Sequence, residues 1–377
     1  MFDRLKNLFS SFQSTTDSVI GVDIGSAYLK VVQLKRKAGK AVLETYGELA
    51  LGPYEGLEVG RATKLPPDKL AEALRDIIRE AHVTTTRGAI AIPFASSLVT
   101  IIDIPPLEEK DLSVAVPIEA RKYVPVPISE VNLEWWVVPK EPTRNTENAE
   151  VVGSETSPST SGKTAFLQVL IAAIHNEALT RFQDVAKGSG VEASFFEIEL
   201  FSTIRALLPQ DLEAHAVLDF GAGETKLYII DRGLLRLSHS ISHGAQELTL
   251  ALSRSLNITM DEAEKLKRTN GLSASDSRVS DSLRGILDFV FSETDRGLRN
   301  FEHRFGRKVK DIILSGGGAN LLGLEEFAGK AFSVPIFRAN PFTHVEAPAF
   351  LDEVLKSVGP EFSVAIGLAF RKLQEEG

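Results

Sequence analysis

Residues 19–32 read VIGVDIGSAYLKVV, an apolar run that breaks at Asp23-Ile24-Gly25-Ser26 and then resumes. Two strands joined by a tight turn account for the pattern, because glycine gives the turn its backbone freedom and the flanking residues stay strand-like. Alone, D-x-G is an ordinary hairpin turn with no chemistry attached. A second stretch changes its weight. Residues 216–230 read AVLDFGAGETKLYII, so V-D-I-G-S-A-Y-L-K at 22–30 overlies L-D-F-G-A-G-E-T-K at 218–226. The shared pattern is apolar, Asp, apolar, Gly, small, three variable positions, Lys. Asp23 and Asp219 lie 196 residues apart, about one domain length, which points to an internal duplication.

Two such turns facing each other across a cleft suit a phosphate chain held from both sides. Backbone N–H groups and the hydroxyls of Ser26 and Thr225 would meet phosphate oxygens. Asp23 and Asp219 would hold a hydrated magnesium ion, which keeps most of its waters and needs few carboxylates. A third cluster fits the same picture. The apolar strand DIILS at 311–315 runs straight into Gly316-Gly317-Gly318-Ala319-Asn320, and three glycines at a strand's carboxyl end let a flat ligand surface come close.

The bulk numbers set limits. At 377 residues the chain predicts two domains or more. Its 43% hydrophobic and 25% charged content is that of an ordinary globular protein. A net charge of −9 offers no field for a nucleic-acid backbone. The absence of cysteine removes disulfide frameworks, thiolate zinc sites and cysteine nucleophiles. No apolar run is long enough to span a bilayer, and the first eighteen residues are too polar for a signal peptide, so a cytoplasmic location is expected.

Along the chain, Phe2, Leu5, Leu8, Phe9 and Phe12 share one helical face, giving an N-terminal amphipathic segment over 1–18. Strands are expected over 19–34 and 41–51, a helix over 67–81 and a strand over 88–93, the opening of a mixed α/β layer domain. A module with strand–helix–strand–strand order follows over 97–175: strand 98–104, helix 108–123, strand 131–138 with Trp135 and Trp136, and strand 166–174. Its loop 140–163 is polar and reads as disordered. Ser161-Gly162-Lys163-Thr164 mimics the end of a P-loop, but Ser157 stands where the first glycine belongs and no strand or helix frames it. The first domain comprises 19–96 and 176–212, closed by a C-terminal helix over 361–377, and the second spans 213–360. His239 and His243 sit four apart on a strand-like pattern, too far apart to share a metal, with no glutamate between them.

The order of first phosphate turn, second phosphate turn and SGGG turn resembles the actin/hexokinase/sugar-kinase ATPase superfamily. The strand–helix–strand–strand module resembles that of the FtsA branch (an SHS2-type insertion in two duplicated RNase H-like domains). Within that branch the chain is most similar to the type IV pilus assembly family PilM. The stretches that carry this are VIGVDIGSAYLKVVQL, IPPLEEKDLSVAVPIEARKYVPVPISEVNLEW, FFEIELFSTIRAL and FSVAIGLAFR, from near residue 19 to the end.

The resemblance implies an actin-like fold that binds ATP with Mg2+. It places Asp23, Gly25, Ser26, Ala27 and Tyr28 at the β- and γ-phosphates, with Lys30 reaching the β-phosphate. Asp219, Gly221, Ala222, Gly223 and Thr225 close from the other side. Gly316, Gly317 and Gly318 lie against the adenosine, Glu264 and Lys267 flank purine and ribose, and Glu199 orients attacking water. Ala222 departs from the actin pattern, which has a carboxylate there, so slow or absent hydrolysis is expected. Lys226, just past the second turn, is expected in solvent. The implied role is a scaffold that docks the cytoplasmic N-terminal tail of a PilN-like inner-membrane protein near the groove between first domain and insert. It would work beside other pilus assembly proteins at the cytoplasmic face of the inner membrane, with self-association open. An FtsA-like filament former and a small-molecule kinase of the same superfamily are the alternatives.

Overall fold

The computed structural model of the chain describes residues 18–138, 166–273 and 276–375. The amphipathic N-terminal stretch up to residue 17 and the polar loop 140–163 lie outside the described residues. The chain divides into two units, 97–176 and the rest.

In the larger unit, β1 (Ser18–Ile24), β2 (Tyr28–Lys37) and β3 (Lys40–Ala50) form an antiparallel meander. Every residue of β1 is buried, so it is covered on both faces and reads as a continuous apolar run rather than an alternating one. Helix α1 (Pro67–Glu80) starts with Pro67 in the first turn, where its missing N–H costs nothing, and buries Leu70, Leu74 and Ile77. Strand β4 (Arg87–Ile92) then lies parallel to β1.

The smaller unit comes next. Strand β5 (Ser97–Ile104), helix α2 (Glu109–Ala120), β6 (Val131–Val137) and β7 (Leu167–His175) give an antiparallel sheet of order β5-β7-β6. Helix α2 ends three residues before the expected 123. Pro117 removes one of its internal hydrogen bonds, and Val124 precedes Pro125, a position where the helical region is disfavoured. The core of this unit is Ile102, Ile104, Leu112, Val116, Val131, Val169 and Ile171, with Trp135 packed against it.

The larger unit resumes with α3 (Asn176–Ser189), β8 (Glu192–Ile198) and α4 (Glu199–Leu207), and β8 completes a sheet of order β3-β2-β1-β4-β8. The chain then repeats itself. Strands β9 (Ala214–Phe220), β10 (Thr225–Asp231) and β11 (Leu234–Ile241) form a second antiparallel meander. Helices α5 (Ala245–Leu256), α6 (Met260–Thr269) and α7 (Ser277–Phe305) follow, then β12 (Asp311–Ser315), α8 (Leu324–Ala331) and β13 (Ile336–Arg338). The second sheet has order β11-β10-β9-β12-β13, with β12 parallel to both β9 and β13. Strand for strand this matches the first sheet: a three-stranded meander, then two parallel strands. The duplication read from the two Asp-Gly turns is therefore a duplication of the whole sheet.

Helices α9 (Asp352–Val358) and α10 (Ser363–Glu375) end the chain. Helix α10 returns to the first sheet and packs with β1 and α4, in a core that includes Val19, Val32, Leu34, Ala206, Ile366 and Ala369. Glycine makes this approach possible: a Cβ on Gly21 would meet the Ala365 carbonyl at 1.9 Å, and one on Gly367 the Ser202 carbonyl at 1.9 Å. Glu197 anchors the same contact from beneath, taking Arg205 at 2.7 Å and Arg371 of α10 at 2.7 Å. Among the described residues, no helix is long and apolar enough to cross a membrane.

Candidate functional site

The two turns have the same internal bond. The Gly25 N–H donates to the Tyr28 carbonyl at 3.0 Å, and the Gly221 N–H donates to the Glu224 carbonyl at 3.0 Å. In both hairpins the aspartate faces the lysine seven residues on, Asp23 opposite Lys30 and Asp219 opposite Lys226. The turns also face each other: a Cβ on Gly223 would lie 3.4 Å from Ser26 Oγ. Around them the two halves of the cleft touch. Ala62 N–H donates to Gln246 Oε1 at 2.7 Å, and Arg268 Nη2 donates to the Tyr28 hydroxyl at 2.6 Å while lying over its ring.

Asp23, Asp219, Glu199 and Lys226 are all buried here. Burial pushes the Asp23 carboxyl up to about 6, with Lys30 and Lys226 pulling down and Glu199 and Asp219 pushing further up. Asp219 is raised from the same first cause, with Lys226 opposing. Glu199 begins α4, at the positive end of the helix dipole, and its Oε1 accepts the Phe94 N–H at 2.6 Å.

Lys226 is the main correction to the sequence reading. It is 7% exposed rather than solvated, and its ammonium lies 2.9 Å from Glu199 Oε1, 3.6 Å from Asp219 Oδ2 and 3.8 Å from Glu224 Oε1. Burial works against its charge, yet Glu199 and Asp219 overcome that and hold its pKa well above the ordinary lysine value. The side chain alternates along β10, so the register that sets it opposite Asp219 also turns it inward.

The glycine cluster divides by cause. Gly316 has φ +79°, and a Cβ there would meet Asp219 Oδ1 at 2.5 Å; at Gly318 it would meet the Phe220 ring at 2.2 Å. These two answer to packing. Only Gly317 is open, its nearest neighbour being Glu361 at 3.9 Å, and Glu361 is in turn bound by Asn320 Nδ2 at 2.5 Å. Ala27 is buried behind the first turn, whereas Gly221, Ala222 and Gly223 form the second, and the Thr225 hydroxyl is committed to the His243 carbonyl at 2.7 Å.

On α6, Glu264 and Lys267 pair with each other at 2.6 Å. Lys267 also donates to the Ala245 carbonyl at 3.1 Å and to Thr249 Oγ1 at 2.8 Å, which accounts for all three of its protons. Burial lowers the Lys267 pKa against the pull of Glu264. Arg268, which the sequence reading passed over, extends from the same helix to Tyr28. His239 lies 3.5 Å from Glu293, and the His243 ring packs at a tilt against Phe289 with centroids 4.4 Å apart.

Among the described residues no group of three or more His, Asp or Glu side chains is arranged to hold a metal. The chemistry of Asp23 and Asp219 nevertheless fits Mg2+: both are buried carboxylates disfavoured as anions by burial, and a hydrated cation, which needs few carboxylates, would relieve them.

Two matched sheets, each giving one hydrogen-bonded Asp-Gly turn to a shared cleft beside a Gly-rich strand end, define an actin-like fold. MreB 5 of Spiroplasma citri, solved with AMPPNP bound, shares that fold, with a TM-score of 0.52 at 13% identity over 96% of this chain and 98% of that one. The chain belongs to the type IV pilus assembly protein PilM family, whose model matches residues 21–373. Consistent with this, it is similar to a chain of a PilM-PilN type IV pilus biogenesis complex, with a TM-score of 0.76 at 25% identity over 94% of this chain and 98% of that one. The cell division protein FtsA of Neisseria meningitidis serogroup B is 24% identical over 369 residues, 87% of this chain and 84% of that protein.

Proposed function

We propose that the chain is a nucleotide-binding scaffold of type IV pilus assembly. It takes ATP with Mg2+ in the cleft and docks the cytoplasmic tail of a PilN-like inner-membrane protein, working at the cytoplasmic face of that membrane. The observation that carries the nucleotide reading is the pair of identically bonded Asp-Gly turns meeting at Ser26 and Gly223. In this reading the backbone N–H groups around Gly25, Ser26, Ala27 and Tyr28, with Lys30, hold the β- and γ-phosphates. Gly221, Ala222, Gly223 and Thr225 enclose them from the facing turn. Gly317 lies against the adenosine between the packing glycines Gly316 and Gly318, and Glu264 and Lys267 stiffen the helix beside the purine. Asp23 and Asp219 hold the metal, whose charge would draw the phosphates into the cleft. Glu199 is the carboxylate assigned to the water side of the site, where the Phe94 N–H and Lys226 hold it.

The tail is proposed to meet the smaller unit. Val114 and Ile118 of α2 are 64% and 55% exposed, and β6 is an edge strand bearing the half-exposed Trp136, features suited to an extended apolar peptide that adds a strand. The similar solved complex pairs a PilM with a PilN, which favours this reading over filament formation like that of FtsA.

Calorimetric titration of ATP with Mg2+ into the full chain should show saturable binding that Asp219→Ala or Gly317→Asp abolishes without unfolding. A synthetic PilN-type tail should bind the full chain and lose binding when the smaller unit is replaced. A wild type that takes no nucleotide ends the cleft reading; full-strength tail binding without the smaller unit moves the docking site elsewhere.

A further inference from the structure

We infer that Lys226 is an internal counter-cation that fixes Glu199 in place, so that the cleft retains ATP rather than turning it over. The inference rests on the ATP reading above and names the residue that sets the site's turnover. Lys226 reaches three carboxylates from three parts of the fold: Glu199 at the start of α4, Asp219 at the end of β9 and Glu224 in the second turn. It bonds Glu199 directly and stands at ion-pair distance from Asp219 and Glu224, and it is buried, so these charges act on it in a low-dielectric site.

Hydrolysis needs a water whose oxygen bonds to the γ-phosphorus while the bond to the β–γ bridging oxygen breaks, its proton passing to a carboxylate. A base must hold that water at hydrogen-bond distance, about 2.6–3.2 Å. Glu199 Oε1 is held from two sides, by the Phe94 N–H at 2.6 Å and the Lys226 ammonium at 2.9 Å, which pins the carboxylate and leaves Oε2 as the oxygen a water would have to use. Turning the carboxylate to bring Oε2 to a water would break both of those contacts, the buried ion pair among them. The second turn supplies no substitute on that side: Ala222 has no carboxylate, and the Glu224 carboxylate is bound by Ser240 Oγ at 2.5 Å and faces Lys226. Lys226 is thus a positioning residue that acts through Glu199.

The test measures fluorescent-ATP binding and phosphate release on full-length wild type, Lys226→Gln, Lys226→Arg and the double variant Lys226→Gln/Glu199→Gln. Wild type and Lys226→Arg should bind and release phosphate near the protein-free rate. Lys226→Gln should bind comparably and release phosphate about 100-fold faster, the scale of a freed general base, with the gain in kcat and KM unchanged. Adding Glu199→Gln should return the rate to the wild-type level. If Lys226→Gln leaves the buried acids too unbalanced to fold, Lys226→Gln/Glu224→Gln carries one acid fewer and the same expectation. Binding without faster release, or slower release, overturns the inference while leaving the ATP reading intact. Absence of binding by wild type overturns the ATP reading itself and the inference with it.

Discussion

Replacing Asp23 by asparagine should make the nucleotide-free protein more stable while destroying metal-dependent nucleotide binding. Asp23 is 8% exposed, and its carboxyl is raised from 3.8 to about 6 mainly by burial. Because the folded-state value lies above the unfolded one, its contribution to stability is fully present below about 3.8 and is lost as pH rises through about 6. At pH 7.5 the ionised carboxylate therefore costs the folded state about 3 kcal/mol, and at pH 5 about half of that. Asparagine keeps the shape and removes the charge, so its advantage over wild type should follow those figures, roughly halving between pH 7.5 and pH 5. Urea midpoints of both proteins at the two pH values, in EDTA so that no metal relieves the acid, measure the difference. Calorimetry with ATP and Mg2+ should then show no binding by the variant. A variant no more stable than wild type at pH 7.5, or a gap that widens toward acid, would refute the assignment of Asp23 as a desolvated anion.

Three further outcomes are expected. Gly318→Ala drives a methyl into the Phe220 ring and should lower stability by about 1–3 kcal/mol in thermal melts, whereas Gly317→Ala should change it by about 0.5 kcal/mol or less. Glu197→Ala removes the carboxylate that joins Arg205 to Arg371, leaving Arg205 on the Gly367 carbonyl and Arg371 on Glu375, and should cost about 1–3 kcal/mol in chemical denaturation, with α10 becoming the first site of limited proteolysis. Arg268→Ala removes the bond to the Tyr28 hydroxyl that joins the two halves of the cleft, so stopped-flow release of a fluorescent ATP analogue should quicken about tenfold; an unchanged rate would show that this bond does not gate the nucleotide.

The two halves of the fold were legible because strands buried on both faces write themselves as apolar runs, and because the turn between them needs the same residues each time. Asp23-Ile24-Gly25 and Asp219-Phe220-Gly221 carried the duplication, and the matched sheet orders bear out the actin-like fold. Helix α2 was overrun by three residues because Pro117 and Pro125 act on the backbone in ways that apolar spacing does not register. The glycines at 316 and 318 looked like room for a ligand. Their neighbours, Asp219 and the Phe220 ring, belong to a strand nearly a hundred residues away and become visible only in three dimensions. Arg268 was missed for a similar reason, since nothing local marks it as the member of α6 that crosses to Tyr28.

Lys226 shows most clearly where sequence logic stops and register begins. The duplication sets the same Asp–Lys pair at both turns, so the two lysines were open to the same reading. Both are buried, yet their surroundings differ. Lys30 lies on the half of the cleft that carries Tyr28, with its ammonium 5.9 Å from that ring. Lys226 lies where α4 brings Glu199 up to the second turn, and there the ammonium meets three carboxylates within 4 Å. A lysine in a low-dielectric site keeps its charge only when acids surround it, and acids in such a site keep theirs only beside a cation. The four groups Asp23, Asp219, Glu199 and Lys226 are therefore best understood as one charged unit. In it both turns carry an aspartate that burial raises and a lysine opposite it, and the second lysine also reaches Glu199 and Glu224. On the ATP reading proposed above, that difference between duplicated halves would set the first turn to receive a metal-bound phosphate and the second to hold Glu199 in place.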